Sequence, residues 1–449
     1  MNQKQLDQKR SWITGKFIVG IDPAKDKHQA CIIDSNGNLV GKSFSFHRDA
    51  FGFHEQLWFK LKRYLNPDFI NPEHLIFAVE ASIDFWQTLV DYLLRLHYQV
   101  VIVSPLTTKN SRALPGHDFS RTDPKDARLV AESAFRGHYH RYINYSDQIK
   151  ALKTLSLTYN KLRKDLSRNQ LRLRSMLNRI FPEFLSNLSL DTETAHFLLS
   201  KYLHPKDFLD LDVADIVPKM LRVSNQQHGI ETLRNLQEAA QTSIGIPRDE
   251  YEIISDRLTV DSWLTLINTH KQQLKIISTQ LIELAKQTPY FDIIVSIKGI
   301  ADLNAALFIA EVKDLDLYHH YKQIQKLAGT NLRLCVSGKS RGRFKINKIG
   351  NNRLRWIIYL MTQETIKYIP EVRIKYLKRQ IKHSSRTRSI IACSSQLLQL
   401  IMALIKANRH YEFLPENQSL MWQLEYHYDK VKKNRNRNKI TPTYIPASI

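Results

Sequence analysis

The chain has 449 residues, 43% of them hydrophobic, with 66 lysines and arginines against 43 aspartates and glutamates, a formal net charge of +23. One hydrophobic core stops growing near ~250–300 residues, so the length predicts two or three domains, and the apolar content excludes global disorder. The excess of base points to a polyanionic partner, with nucleic acid the default.

In chain order, the opening MNQKQLDQKRSWITGK lacks the apolar stretch of a secretory signal. β-rich runs then predict strands at Phe17–Asp22, Gln29–Asp34 and Leu39–Phe46, the last after an Asn-Gly turn signal within 35–38. Apolar runs at 75–82 and 99–105 are spaced for a helix between them. Three antiparallel strands followed by helix-linked strands predict a mixed α/β sheet over residues 1–145. The order β-β-β-α-β-α-β is that of RNase H-like nucleases.

Asp22 ends the first strand and Glu80 the fourth. Desolvating a lone carboxylate at such a place is costly. A divalent cation such as Mg²⁺, which takes oxygen ligands, removes that cost. The segment SRTDPKDARLVAE (120–132) adds Asp123 and Asp126, which share one face of a helix at i, i+3 spacing. The same pair also suits a helix N-cap and first turn, with Pro124 at the first helical position. Asp26, Asp34 and Asp84 read as turn or cap residues, and His28 as a surface residue at a strand start. Asp, Glu, Asp, Asp in this order resembles the DEDD tetrad of Holliday-junction-resolvase-like nucleases. Four such carboxylates can hold two cations ~3.5–4 Å apart across a scissile phosphate.

Residues 146–290 read as helix. Leu152, Leu155, Tyr159, Leu162, Leu166, Leu173, Met176 and Ile180 keep a heptad seam interrupted by Asn169. A second run, Ile267, Leu274, Ile277, Leu281 and Leu284, carries His270 at its polar step. Between them lies a helical insertion, roughly 187–258. The pair predicts an antiparallel coiled-coil arm or dimerisation element, with ordinary bundle core as the other reading.

Residues 291–415 predict a mostly helical domain. Within it, SIKGIADLNAALFIAE (296–311) reads as a glycine turn entering an alanine-rich helix, similar to half of a helix-hairpin-helix element. The loop Ser337-Gly338-Lys339-Ser340-Arg341-Gly342-Arg343 is small and strongly cationic, suited to phosphate contact, and is not a Walker A loop. A serine in that field is suited to phosphate contact or to nucleophilic attack. Lys345, Lys348, Arg353 and Arg355 follow, and residues 373–388 hold seven bases and no acid: Arg373, Lys375, Lys378, Arg379, Lys382, Arg386 and Arg388. These predict contacts to a nucleic-acid backbone. Residues 416–449 form a basic tail, expected to be flexible and to bind phosphate. No run of ~18 apolar residues predicts a membrane span. Cys31, Cys335 and Cys393 are too scattered for a disulfide framework or zinc site and point to a reducing, cytoplasmic setting.

Taken together, GIDPAKDKH, VEAS, RTDPKDARLVAE, the heptad arm, SIKGIADLNAALFIAE and KLAGTNLRLCVSGKSRGRFKINKIGNNRLR resemble the DEDD transposases of bacterial insertion sequences guided by a bridge RNA. The resemblance spans about residues 17–410. It implies an RNase H/RuvC-like domain whose Asp22, Glu80, Asp123 and Asp126 bind Mg²⁺, two ions per site. It implies a serine, Ser337 with Ser340 as the fallback, that attacks DNA and forms a covalent link before strand exchange. It also implies a guide RNA pairing with target and donor DNA, and a homodimer assembling to a tetramer. Sites would be composite, with the two domains drawn from different subunits, in a bacterial, nucleoid-associated enzyme. A Mg²⁺-dependent, structure-selective endonuclease of the junction-resolvase type, working without a covalent intermediate, is the alternative.

Overall fold

The computed structural model describes residues 3–82, 84–111, 123–335, 343–382, 385–413 and 416–440. The chain divides into two compact units, residues 1–144 and 145–449.

The first unit opens with α1 (Gln3–Ile13), followed by β1 (Phe17–Asp22), β2 (Lys27–Ile33) and β3 (Leu39–His47). A π-helical turn at Gly52–Gln56 leads into α2 (Leu57–Tyr64), β4 (Leu75–Glu80), α3 (Gln87–Arg95), β5 (Gln99–Val103) and α4 (Pro105–Ser111). The unit closes with α5 (Asp123–Phe135) and a short β6 (His140–Arg141). The strands form one six-stranded sheet in the order β3-β2-β1-β4-β5-β6. β1 pairs antiparallel with β2 and parallel with β4, so the sheet is mixed, as expected of an RNase H-like domain.

Side chains alternate between the faces of a strand, and the sheet separates two cores accordingly. On one face Val19, Ile21, Phe77 and Val79 pack with Phe53, Leu57 and Leu61. On the other, Ile18, Ile76, Ala78 and Val101 pack with Ala127, Val130, Ala131 and Ala134 of α5. Gly20 sets the depth of that second layer. A Cβ there would lie 2.5 Å from the Ala127 carbonyl oxygen and 2.5 Å from the Ala131 nitrogen, so only glycine lets α5 rest directly on β1.

The expected turn after β2 forms as read: the Asp34 carboxylate accepts from the amides of Asn36 and Asn38 at 2.9 and 2.8 Å. His28 corrects the reading made of it. It is fully buried, between the rings of Phe46 and Phe53, and its Nδ1 accepts from the Ala24 amide at 3.2 Å. Burial first, then the nearby Arg48 charge, brings its pKa down to about 4, so the ring stays neutral. Its polar neighbours Lys27 and Gln29 point to the opposite side of the strand, which is why it reads as surface from the sequence.

In the second unit α6 (Asp147–Ile180) and α12 (Glu250–Lys286) are 34 and 37 residues long. Gln148 at the start of α6 donates to the Leu284 carbonyl near the end of α12 at 2.9 Å, so the pair is antiparallel. Leu152 packs with Leu281 and Ala285 in one core, whereas Leu173, Met176 and Ile180 pack with Val260, Leu264 and Ile267 in another. The helices therefore pair antiparallel, each end seated in its own hydrophobic core. The insertion supplies α7 (Phe184–Asn187), α8 (Glu193–Leu199), α9 (Pro205–Leu209), α10 (Val213–Val223) and α11 (Ile230–Gln241).

Beyond the arm come α13 (Phe291–Val295), α14 (Asp302–Val312), α15 (Tyr321–Ala328), β7 (Leu332–Cys335), β8 (Arg343–Ile346), α16 (Asn352–Thr365), α17 (Pro370–Ile381), α18 (Arg386–Lys406) and α19 (Glu416–Ile440). α18 has the length and mean hydropathy of a membrane span, although serines and glutamines interrupt it and it holds no run of ~18 apolar residues. Ile390, Leu397, Leu398 and Ile401 on it are buried in the C-terminal core, so it reads as a core helix. The segment expected to be a flexible tail is helical over 416–440 and bonds to α17 through Arg373 and Glu425 at 3.0 Å. It contains no glycine or proline and is rich in helix-forming residues, and helical propensity prevails over its charge.

Candidate active site and nucleic-acid interface

β1 and β4 are neighbouring central strands, and their parallel register pairs Ile21 with Val79. The next residue on each strand is the acid, so Asp22 and Glu80 stand level at the carboxyl ends. By alternation both share the face of Ile18, Ala78 and α5. Glu80 is 8% exposed and Asp22 partly buried. Ala127 and Ala131 sit over Gly20, two residues before Asp22, which brings the first turn of α5, with Asp123 and Asp126, toward the same end of the sheet. Asp123 is exposed and Asp126 partly buried.

These donors suit a hard divalent cation in kind, being carboxylate oxygens only. The cysteine packed on that face, Cys31, is buried, and burial pushes its thiol up to about 11, so it stays protonated. The strands and helix deliver the carboxylates to one region without gathering them. Among the described residues, no group of three or more His, Cys, Asp or Glu side chains is close enough to hold a metal ion.

The cationic loop belongs to the second unit. β7 and β8 pair antiparallel from Leu332–Ile346 to Cys335–Arg343. Ser337, Lys339, Ser340 and Arg341 lie outside the described residues, and of Arg343 only the backbone, the first residue of β8, is described. The base of the hairpin is locked. Gly329 ends α15 in the left-handed conformation (φ +69°), and a Cβ on it would lie 2.6 Å from the Ile349 carbonyl oxygen. The Lys348 amide donates to the Gly329 carbonyl at 2.9 Å, and the Asn351 amide to that of Leu327 at 2.7 Å. The Asn351 side chain then caps α16, accepting from the amides of Arg353 and Leu354.

Several bases expected to face nucleic acid are engaged inside the fold. Arg353 Nε donates to Glu311 at 2.9 Å, and the Arg355 guanidinium to the Ala328 and Lys348 carbonyls at 2.9 and 3.2 Å. Arg373 holds Glu425 of α19, and Lys375 donates to Ser395 Oγ at 2.7 Å. Arg379 is partly buried. Lys345, Lys348, Lys378, Lys382, Arg386 and Arg388 are exposed and available to phosphate.

Glu311, which the sequence reading passed over, is the centre of a buried polar network. Its carboxylate accepts from Lys153 at 2.5 Å, Ser156 at 2.9 Å and Arg353, and also from the Asn351 amide group. Burial alone would raise its pKa, but Arg353, Lys153 and Asn351 bring it down to about 2. The available signal was an acid inside the apolar run ALFIAEV, the same kind of signal that marked Asp22 and Glu80.

Comparison with known proteins agrees with this architecture. The family model for the DEDD transposase of the IS110 type, described as a transposase, matches residues 19–182. That described as "Transposase IS116/IS110/IS902 family" matches residues 292–377. The chain is similar to the insertion element IS116 uncharacterized 44.8 kDa protein of Streptomyces clavuligerus, 22% identical over 89% of this chain and 97% of that protein. It is also similar to the pilin gene-inverting protein of Moraxella bovis, 31% identical over 26% of this chain and 33% of that protein. One family model covers the sheet with its carboxylates and the start of the arm, the other the helices around the cationic hairpin, and this chain belongs to the IS110 family of transposases.

Proposed function

We propose that this transposase, which catalyses DNA transposition, cuts and rejoins DNA through a serine–DNA intermediate and takes its sequence choice from a guide RNA. The observation that carries the catalytic half is the level placement of Asp22 and Glu80 on neighbouring parallel strands, on the face that α5 covers with Asp123 and Asp126 in its first turn. These four would hold Mg²⁺, which when bound neutralises charge developing on the phosphate.

Ser337, or Ser340 in its place, attacks phosphorus. The seryl oxygen forms a new P–O bond as the strand's own P–O bond breaks, and the seryl proton passes to the hydroxyl end released. Attack by the hydroxyl end of another strand reverses the step and frees the serine. One phosphodiester is exchanged for another, so no external energy source is needed. Similarity to a protein named for inverting a gene supports rejoining as well as cutting. The guide RNA and the dimer-to-tetramer assembly follow from the family resemblance, and the exposed Lys378, Lys382, Arg386 and Arg388 offer backbone contacts to either nucleic acid.

Adduct trapping tests this reading. Full-length protein incubated with element-end DNA and Mg²⁺, then denatured, should carry a covalent DNA adduct. Ser337→Ala should lower its yield by at least about a thousandfold, as loss of a nucleophile does. Asp22→Ala should abolish it likewise. Persistence in Ser337→Ala with loss in Ser340→Ala reassigns the nucleophile. Hydrolysis with no adduct in any variant replaces the recombinase with a structure-selective nuclease.

A further inference from the structure

Trp356 lies one turn into α16, the helix that follows the cationic hairpin, and is 44% exposed. Its ring runs nearly parallel to that of Tyr359, with an interplanar angle of 13° and a centroid separation of 5.7 Å. Tyr359 leans on the C-terminal core, which fixes the plane of the pair, while Trp356 stands clear of it. From α6 the Arg163 guanidinium lies 5.8 Å from the Trp356 ring centroid, within cation–π range. This contact locates α6 beside the rings, and α6 is strongly basic here. Residues 161–179 carry seven bases against one acid, Asp165, which pairs with Arg168. Arg163, Lys164 and Arg168 are exposed. Toward the hairpin, Lys348 is exposed as well.

An exposed ring backed by a second, core-anchored ring within a cationic surface is how sequence-tolerant proteins hold unpaired bases: the aromatic face takes a base and the bases' phosphates meet Lys and Arg. In a duplex the base faces are occupied by neighbouring bases, so such a surface selects opened strands. We propose that Trp356 and Tyr359, flanked by Arg163, form a stacking platform for unpaired bases of single-stranded DNA. A strand running between the hairpin and the basic face of α6 would cross it. Strand exchange must open DNA, which gives this family a substrate for the platform. The proposal rests on the chain acting on DNA and not on which residues cut it, so its fate and that of the serine mechanism are separable.

The test is binding by full-length protein, read by fluorescence anisotropy. The probes are a 20-nucleotide labelled DNA strand, its duplex, and the same strand with central abasic sites. Loss of one base–aromatic stack is expected to weaken single-strand binding roughly 5- to 150-fold in Trp356→Ala, and to change abasic-strand binding by less than about 2-fold. Trp356→Phe should keep most of the affinity. Trp356→Leu, which keeps apolar packing without a π face, should lose it while unfolding at the wild-type temperature. Equal losses on intact and abasic strands, no loss on either, or retention by Trp356→Leu overturns the platform. A Trp356 dependence seen with an RNA strand of the same sequence and absent with DNA overturns the assignment to DNA.

Discussion

Glu311 shows how a single buried charge organises the C-terminal unit. Its side chain is fully buried on α14, yet two cations and two neutral donors reach it from α6 and from the entry to α16. Its pKa is depressed, so the stabilisation is fully present above the ordinary carboxylate value of 4.5 and is lost as pH falls through about 2. Replacing it strands Lys153 and Arg353 without a counter-charge. Glu311→Ala should cost about 3–5 kcal/mol at neutral pH, the usual penalty for breaking a buried pair. In urea titrations of wild type and Glu311→Gln, the stability gap should be widest at neutral pH and narrow steadily below pH 4.5. A gap that stays constant across that window would mean that the charge of Glu311 contributes nothing. Lys153 belongs to the same network: burial, and to a lesser extent the Arg353 charge, lower its pKa, and the bond to Glu311 offsets part of that fall.

At the level of elements, Gly20 decides whether the helix-borne acids reach the strand-borne ones. Gly20→Ala would place a Cβ 2.5 Å from two backbone atoms of α5 and force the helix outward. Overpacking of this kind costs about 1–3 kcal/mol. The expected result is a lower melting temperature, together with a Mg²⁺ requirement for strand transfer shifted to higher concentration as Asp123 and Asp126 retreat. An unchanged Mg²⁺ dependence in a destabilised Gly20→Ala protein would remove α5 from the proposed metal site. This element arrangement was largely legible in the sequence. The central strands are short apolar runs that end in an acid, and α5 announces itself by Asp123-Pro124. Legibility failed where the deciding partner is distant in the chain. Arg353 and Arg373 read as free bases because Glu311 and Glu425, which hold them, lie 42 and 52 residues away. His28 read as surface because Phe46 and Phe53, which enclose it, come from another strand and a π-helical turn. The final helix read as a tail because its charge is evident locally, whereas the face that meets α17 is not.

For the whole molecule, the formal charge of +23 points to a polyanionic partner, yet the two chemical halves differ in sign and in location. The acids sit in the unit of residues 1–144, and the serine hairpin in that of residues 145–449. Under the proposed serine mechanism a phosphate needs both, and the halves need not come from one copy of the chain. If each site takes its carboxylates from one protomer and its serine from the partner, a dimer of Asp22→Ala with Ser337→Ala holds one site with both halves intact and one with neither. If each site is built within one protomer, the same mixed dimer holds no intact site. Mixing the two inactive variants in equal amounts under exchange conditions makes half the dimers mixed. The composite arrangement should then restore covalent adduct to roughly a quarter of the wild-type level, one working site in two on half the dimers of an isologous pair. Adduct at background level in the mixture, with both variants folded and able to bind DNA, would place carboxylates and serine in the same protomer.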